Sequence, residues 1–322
     1  MKKPLAKISN VSVDLFPNGA PFTVLENISL DIFQGETLGL IGETGCGKSM
    51  TAWLLLDMLP GNGKIINGSV WFKGKDVTDS SRTLLRGKNI AMIFQDPLRA
   101  LNPVHTVGKQ FVTILKSRFG IDNQEARSMA LKWIKRVRLD SPEDILLRYP
   151  HQFSGGQMQR LMIAIAMSIK PDLLIADEPT TALDATLKTY TLDLINSIRK
   201  EEDISVLLIS HNLNLIANYC EKIAVMYNGT IVENGNADHI LEKPKHPYTQ
   251  GLINALPKGN KKRLISIEGS TPTVNNKQSG CRFEPRCTEA IPICKTSTPQ
   301  LFDVTSESQV FCHHYSKENK VL

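Results

Sequence analysis

The chain has 322 residues, of which 41% are hydrophobic, and it carries a formal net charge of +6 with a sequence pI near 8.9. This length can bury a full core and hold one large domain plus an appendage. The densest apolar run, residues 161–169, is about half as long as a membrane-spanning helix requires, and residues 1–10 lack the apolar core of a secretion signal. We therefore expect a soluble, cytosolic chain whose 6 cysteines are reduced.

The first part of the chain predicts strands that lead into a glycine-rich turn. Residues 1 to about 80 alternate between apolar and polar stretches, with turn signals at residues 17–19 and 61–63. Residues 37–41 form a short apolar run directly before the glycine-rich turn. Residues 50–59 are apolar and stop at Pro60, which favours a helix buried on most of its surface.

The middle of the chain changes to a helical period and then returns to strands. Ala126, Ala130 and Val137 would lie on one face of a helix, and a second helix is predicted over residues 157–169. The unbroken apolar runs 173–176 and 206–209 are typical of strands buried on both faces of a parallel sheet. Both runs end in polar residues, and ligands bind at the carboxyl ends of such strands.

Residues 42–49 match the phosphate-binding pattern G-x-x-x-x-G-K-S in full. Glycines let successive backbone N–H groups approach a β-phosphate, and the following helix directs its positive end at the same anion. Lys48 can reach the β- and γ-phosphate oxygens, and Ser49 can ligate Mg²⁺. The strand before and the helix after supply the required context. The predicted nucleoside triphosphate contacts are Gly42, Glu43, Thr44, Gly45, Cys46, Gly47, Lys48 and Ser49.

Further polar motifs follow in a fixed order: Gln95 after an apolar strand, residues 153–157 at a helix start, Asp177-Glu178 at a strand end, Asp184, and Ser210-His211. In this order the sequence resembles the ATPase subunits of ABC transporters, over roughly residues 5–255. The resemblance implies an α/β fold of the P-loop type, with a mixed β subdomain and a RecA-like parallel-sheet core. It places a helical subdomain at about residues 100–165, within a cassette of residues 1–255, and leaves residues 256–322 as a C-terminal extension.

The resemblance assigns a role to each matching position. Asp177 would hold Mg²⁺ through water, with Ser49 and Gln95 as further ligands. Glu178 would be the general base for the attacking water, and His211 would contact the γ-phosphate and keep the water in line. Gln95 would also relay the state of the γ-phosphate to a membrane subunit. Positioning and charge neutralisation supply most of the catalysis of phosphoryl transfer.

The resemblance also implies a second cassette. Ser154, Gly155, Gly156 and Gln157 form the family's signature, which completes the nucleotide site of a partner chain, and Asp184 belongs to the loop named after it. Two cassettes would thus enclose ATP between them, the partner being a homologous, non-identical chain. No nucleic acid partner is expected, because no sustained heptads lie between Ser49 and Ser154 and the chain has a single phosphate loop.

Three further positions of the nucleotide site carry expectations of their own. Phe16 stands where the family places the aromatic that stacks on adenine, with Phe22 as the alternative. Met50 departs from the commoner Ser or Thr, and Thr51 is out of register, so one phosphate hydrogen bond is expected to be missing. Cys46 lies at a helix start beside Lys48, and this position predicts a thiol pKa below the ordinary value.

Other details resemble the dipeptide, oligopeptide and nickel importer branch, including residues 94–97, residues 101–103 and the run 245–249. This implies uptake of peptides, or of nickel, an opine or glutathione, through two transmembrane permease subunits fed by an extracytoplasmic solute-binding protein. Residues 98–110 are expected to contact the permeases. The chain would then lie at the cytoplasmic face of the inner or plasma membrane.

Cys281, Cys287, Cys294 and Cys312 lie in a proline-rich segment with too little apolar content for its own core. Disulfides are disfavoured in the cytosol. Structural zinc sites usually present C-x₂₋₄-C pairs, which are absent here, although His313 and His314 keep a mixed zinc site open. Four thiolates suit a cubane [4Fe-4S] cluster, and four free thiols without a metal are a further alternative. Some members of the peptide-importer branch carry such a cluster in this extension, so the resemblance favours the cluster.

Overall fold

The computed structural model describes residues 3–181, 184–256, 267–269, 279–305 and 308–316. The strands are β1 Ala6–Leu15, β2 Phe22–Ile32, β3 Thr37–Ile41, β4 Gly63–Phe72, β5 Lys75–Asp76, β6 Ile90–Ile93, β7 Leu173–Asp177, β8 Ser205–Ser210, β9 Lys222–Tyr227, β10 Thr230–Asn236, β11 Phe302–Thr305 and β12 Ser308–Val310. The helices are α1 Lys48–Leu55, α2 Pro97–Ala100, α3 Val107–Phe119, α4 Asn123–Arg136, α5 Pro142–Leu147, α6 Gly155–Ser168, α7 Ala185–Glu201, α8 Leu213–Tyr219, α9 Ala237–Glu242 and α10 Pro247–Asn254.

The chain divides into two compact units. The first comprises residues 1–33, 37–79 and 210–322. In it, β2, β1, β4 and β5 form an antiparallel sheet in that order. The strand β3, which leads into the glycine-rich loop, pairs in parallel with β9, and β9 pairs antiparallel with β10. Every residue of β3 is buried, as its unbroken apolar sequence predicts.

The second unit comprises residues 34–36 and 80–209. Its strands β6, β7 and β8 pair in parallel, in that order. Every residue of β7 and β8 is buried, which confirms the prediction of parallel strands from the two apolar runs. The helices α3, α4, α5 and α6 pack on one another within this unit. Ala126, Ala130, Trp133 and Ile134 form the buried face of α4.

The helix after the loop is shorter than predicted. It begins at Lys48 and ends at Leu55, whereas the apolar run continues to residue 59. Asp57 has a φ of 53°, in the left-handed region, so the backbone leaves the helix before Pro60 is reached. Met58 consequently points outward, with 37% of its surface exposed. Apolar character alone does not reveal this early stop.

The C-terminal extension is built into the first unit. β12 pairs antiparallel with β10, and β11 pairs with β12, so the described part of the extension adds strands beyond β10. Phe283 is 3% exposed and packs against Tyr227, Tyr248 and His246. These contacts supply the apolar support that the extension lacks by itself. In the described ranges, no helix combines the length and the apolar character needed to cross a membrane.

Candidate nucleotide site

The glycine-rich loop lies between β3 and α1, as its sequence context predicts. The Nζ atom of Lys48 donates hydrogen bonds to the backbone carbonyls of Gly42 and Glu43, both at 2.9 Å. Lys48 is 5% exposed and stands at the first position of α1. The loop therefore wraps around its own lysine, which places a positive charge at the positive end of a helix, where an anion binds favourably.

Two glycines of the loop cannot carry a side chain. Gly47 has a φ of 110°, and a Cβ atom there would lie 2.7 Å from Cε of Met226 and 2.9 Å from Cδ2 of Leu25. A Cβ on Gly42 would lie 2.1 Å from the carbonyl oxygen of Met226. By contrast, a Cβ on Gly45 would meet nothing within 4 Å. The inner glycines thus allow the loop to pack closely on β9, while Gly45 faces open space.

The hydroxyl of Thr51 forms a hydrogen bond within its own helix. Its Oγ1 atom donates to the carbonyl oxygen of Gly47 at 3.1 Å, and Thr51 is fully buried. Thr51 therefore does not replace the hydroxyl that the chain lacks at Met50. The expected loss of one phosphate hydrogen bond stays a prediction, and the position of Thr51 agrees with it.

The prediction of a lowered pKa for Cys46 is wrong. Cys46 is 1% exposed, and burial raises the pKa of its thiol. The charge of Lys48 and a backbone hydrogen bond act in the opposite direction, but burial is the largest effect. A low-dielectric environment disfavours the thiolate, and the sequence could not show this because burial depends on packing across the chain.

In the second unit, three side chains meet at the end of β7. The Nε2 atom of Gln95 donates to Oε2 of Glu178 at 3.1 Å, and Oγ1 of Thr181 donates to the same oxygen at 2.8 Å. The contact of Gln95 with Glu178 was not predicted from the sequence; it follows from the strand order, because β6 and β7 are parallel neighbours and both residues follow their carboxyl ends. Thr181 is a contact that the sequence analysis missed.

The backbone at Glu178 is strained. Glu178 has a φ of 45°, a left-handed conformation that costs a residue with a Cβ about 1–2 kcal/mol. Its N–H donates to the carbonyl oxygen of Ile209 at 2.9 Å, which holds the turn in place. Asp177, one residue earlier, is the last residue of β7 and is 5% exposed. Strain of this kind clusters at functional sites.

The signature residues cap the start of α6. Oγ of Ser154 accepts a hydrogen bond from the N–H of Gln157 at 3.3 Å, and Oε1 of Gln157 accepts from the N–H of Ser154 at 3.2 Å. This reciprocal pair is a capping box. A Cβ on Gly155 would meet nothing within 4 Å, so the first turn of the helix faces open space.

Asp184, in the loop before α7, caps that helix by accepting from the N–H of Leu187 at 3.0 Å.

His211 lies in the first unit and is exposed, directly after β8. Phe16 and Phe22 are both half-buried, and Nζ of Lys64 lies 5.5 Å from the centre of the Phe16 ring. The geometry does not choose between the two aromatic residues, and the adenine contact stays a prediction.

The C-terminal part of the chain reaches the glycine-rich loop at Glu43. The N–H of Glu43 donates to the hydroxyl of Tyr248 at 3.0 Å. The carboxylate of Glu43 accepts two hydrogen bonds from Arg286, at 2.7 Å from Nη1 and 3.0 Å from Nη2. In the sequence, the run around Tyr248 marks only the family branch, and nothing there points to Arg286. No local pattern indicates a contact between residues 243 positions apart.

Cys281, Cys287, Cys294 and Cys312 lie in one neighbourhood. The N–H of Cys281 donates to the carbonyl of Cys294 at 2.8 Å. Burial raises the pKa of Cys281 to about 11 and that of Cys312 to about 12, and neighbouring thiols raise both further. In the described part of the chain, however, no group of three or more His, Cys, Asp or Glu residues is arranged to hold a metal ion. His313 and His314 donate from Nε2 to the carbonyls of Ser297 and Glu289.

Comparisons with known proteins agree with the motifs. The model of the "ABC transporter" family matches residues 25–181, and that of the "Oligopeptide/dipeptide transporter, C-terminal region" matches residues 232–294. The oligopeptide transport ATP-binding protein AppD of Bacillus subtilis is 38% identical over 320 residues, which cover 98% of each chain. The dipeptide transport ATP-binding protein DppD of Haemophilus influenzae is 40% identical over 314 residues, covering 96% of this chain and 95% of the relative.

The dimeric ATP-binding cassette MJ0796, solved with ADP and Pi in a post-hydrolysis state, has a similar fold. Its TM-score is 0.64 at 25% identity, covering 72% of this chain and 98% of that one. With the full-length similarity to AppD and DppD, these findings show that the chain belongs to the family of ABC transporter ATP-binding subunits, in its dipeptide and oligopeptide importer branch.

Proposed function

We propose that this chain hydrolyses ATP to power the uptake of dipeptides or oligopeptides through separate membrane subunits. The observation that carries the proposal is an intact set of hydrolysis residues, Lys48, Glu178 and His211, in a chain that matches the oligopeptide and dipeptide transporter region at residues 232–294. The named relatives transport oligopeptides and dipeptides. Nickel, opines and glutathione are the alternative solutes, because the same resemblance includes their importers.

The glycine-rich loop is the proposed ATP-binding element. Its backbone N–H groups surround the β-phosphate, and Lys48 neutralises the β- and γ-phosphate oxygens. Lys48, held by the carbonyls of Gly42 and Glu43, presents its positive charge to the phosphate oxygens. Phe16, or Phe22 in its place, supplies the apolar surface for adenine. The remaining loop contacts are Gly42, Glu43, Thr44, Gly45, Cys46, Gly47, Ser49 and Met50.

The residues present fit a Mg²⁺ ion through the chemistry of their donors. Ser49, Gln95 and Asp177 offer hydroxyl, amide and carboxylate oxygens, the ligand types that Mg²⁺ prefers. When bound, the ion neutralises charge on the phosphates. Asp177, a buried carboxylate at the end of β7, would hold the ion through water.

Glu178 is the proposed general base. Its carboxylate accepts a proton from the attacking water, and His211 keeps that water in line with the γ-phosphorus. The side-chain amide of Gln95 and the hydroxyl of Thr181 both donate to Oε2 of Glu178, and these two hydrogen bonds fix the orientation of the carboxylate. Gln95 also lies just before residues 98–110, the stretch that we assign to the permease subunits. Its hydrogen bond to Glu178 can therefore link the hydrolysis site to those subunits.

The signature and its partner chain complete the reaction site. Ser154, Gly155, Gly156 and Gln157 lie at the start of α6, where Ser154 and Gly155 are exposed. The positive end of the helix suits the γ-phosphate of a nucleotide held by a second cassette. Asp184 lies at the start of α7, where the family places contacts between cassettes. We propose a homologous, non-identical second chain. The structural relative MJ0796 is itself dimeric.

The second unit carries apolar side chains that are exposed to an unusual degree. Leu84 and Val104 are each 71% exposed, Leu147 is 66% exposed and Tyr149 is 40% exposed. Val104 lies in the stretch 98–110 that we assign to contact with two permease subunits. This contact would hold the chain at the cytoplasmic face of the inner or plasma membrane, with a solute-binding protein acting on the other side.

Residues 256–322 are the proposed extension beyond a cassette of residues 1–255, and the extension is the proposed site of a [4Fe-4S] cluster. Cys281, Cys287, Cys294 and Cys312 supply four thiols in one neighbourhood, the donor set that such a cluster uses. Zinc and four free thiols are the alternatives. Anaerobically purified protein should be brown and contain about four irons per chain. Colourless protein with stoichiometric zinc, or with no metal, would contradict the cluster.

The transport function can be tested in proteoliposomes that contain this chain, its permease subunits and its partner cassette, with the solute-binding protein supplied on the opposite side of the membrane. Labelled dipeptides and longer peptides should accumulate inside at the expense of ATP, and Glu178→Gln in this chain should stop the accumulation. Lys295→Gln, an exposed change in the extension, is the control and should transport normally. Uptake of nickel, an opine or glutathione in place of peptides would identify a sibling function. ATP hydrolysis that never couples to any of these solutes would contradict the proposal.

A further inference from the structure

Glu43 is held from the C-terminal part of the chain by both its backbone and its side chain. Its N–H donates to Tyr248, and its carboxylate pairs with both terminal nitrogens of Arg286. The side chain of Arg286 is 5% exposed and that of Glu43 is 24% exposed. A bidentate arginine–carboxylate pair at this depth is strong and fixes geometry as well as charge.

The same residue supports the loop lysine. The carbonyl oxygen of Glu43 accepts from Nζ of Lys48 at 2.9 Å and from the N–H of Cys46 at 3.3 Å. Glu43 therefore connects Arg286 and Tyr248 to the two groups that shape the anion-binding surface, namely Lys48 and the turn of the loop. Any displacement of Glu43 moves the acceptor of the lysine.

Arg286 and Tyr248 are themselves rigidly placed. Nε of Arg286 donates to the carbonyl of Glu268 at 3.0 Å, and its guanidinium lies 5.8 Å from the centre of the Tyr227 ring. Tyr248 is fully buried, with its ring 4.7 Å from that of Tyr227 and 5.4 Å from that of Phe283. Arg286 directly precedes Cys287, so the cysteine-containing segment and the glycine-rich loop are joined through a short, buried path.

We propose that Arg286 and Tyr248 are positioning residues for ATP binding: by holding Glu43 they keep the phosphate loop in its binding shape, so nucleotide affinity depends on how the C-terminal extension is docked. Arg286 also cancels the negative charge that Glu43 would otherwise present to the phosphates. The inference rests on the loop being the ATP site.

The test is an equilibrium titration of the full chain with Mg·ATP, measured by calorimetry. It compares the ATP affinity of Arg286→Gln, Glu43→Gln and the double variant with that of the unmodified chain. Arg286→Gln should weaken affinity about 5-fold or more, the range of typical coupling between sites. The double variant should bind within about 2-fold of Glu43→Gln, because no unpaired carboxylate remains once both partners are neutral. Lys295→Gln removes the same charge from an exposed position of the extension and should bind like the unmodified chain.

A conservative variant guards against misfolding. Arg286→Lys keeps the charge but loses the two-pronged geometry, so it should recover part of the affinity that Arg286→Gln loses. Thermal unfolding without nucleotide shows whether each variant is folded. A merely structural role would lower the melting temperature and leave the affinity of the folded fraction unchanged. If Arg286→Gln does not fold, unchanged affinity in Arg286→Lys overturns the inference.

Lys48→Ala separates this inference from the proposed function. If Lys48→Ala loses affinity while Arg286→Gln and Arg286→Lys bind normally, the loop is the ATP site and the role of Arg286 is refuted. If Lys48→Ala also binds normally, the assignment of the loop itself fails. In the assembled transporter, Arg286→Gln should raise the KM for ATP more than it lowers kcat, because the residue does not touch the reacting atoms.

Discussion

Lowering the pH should destabilise the region that supports the phosphate loop, through the buried His246. This residue is 1% exposed and caps α10, where its Nδ1 accepts from the N–H of Tyr248 at 3.1 Å. Burial lowers the pKa of His246 to about 3, from an ordinary value of 6.5. The folded chain therefore keeps the imidazole neutral, while the unfolded chain protonates it below about pH 6.5.

The sign and the size follow from this difference. A lowered histidine pKa contributes stability that is fully present above the unfolded pKa and is lost as the pH falls toward the folded pKa. Between pH 7 and pH 5 the loss is about 2 kcal/mol, and it continues to grow down to about pH 3. Glu233 acts in the opposite direction, because burial raises its pKa and protonation at low pH favours the folded state.

The assay is denaturant unfolding of the full chain at pH 7, 6 and 5, with the unmodified chain compared with His246→Asn. Asparagine keeps a helix-capping acceptor but cannot gain a charge in this range. The loss of free energy of unfolding between pH 7 and pH 5 should be about 2 kcal/mol smaller in His246→Asn. His151→Asn, at an exposed position, should retain the pH dependence of the unmodified chain. Equal slopes for the unmodified chain and His246→Asn would refute the reasoning.

Three further outcomes concern the nucleotide site. Glu178→Gln should bind ATP but hydrolyse it roughly 10²–10⁴-fold more slowly, as expected for loss of a general base; turnover like that of the unmodified protein, measured with the partner subunits, would count against the assignment. Lys48→Ala should weaken ATP binding in an equilibrium titration, because the loop loses its buried positive charge, and unchanged affinity would remove the basis for the loop as the ATP site. Cys46 should react slowly with iodoacetamide in the folded chain, since it is 1% exposed and burial raises its pKa, and mass spectrometry showing labelling as fast as in denatured protein would disprove this.

Short contiguous motifs in the sequence predicted the fold and many residues of the candidate site. The pattern of residues 42–49, the buried runs that became β7 and β8, and the polar residues after them are local features. The loop pattern combines glycines at fixed positions with a lysine and a serine, and the apolar runs end in polar residues. Few other structures combine these features. The meeting of Gln95 and Glu178 follows from one further rule, that parallel strands present their carboxyl ends at the same edge.

Burial and long-range pairing decided the rest. The sequence around Cys46 shows a lysine and a helix start, which lower a thiol pKa, but the packing that raises it comes from elsewhere in the chain. The left-handed backbone at Glu178 could likewise not be predicted, because a glutamate gives no indication of a positive φ. Tyr248 and Arg286 reach Glu43 across 205 and 243 positions, and the described part of the extension pairs with β10 through β12. Local sequence determined which chemical groups are available, whereas the tertiary structure decided which of them are buried and which residues hold them, because both depend on contacts between distant segments.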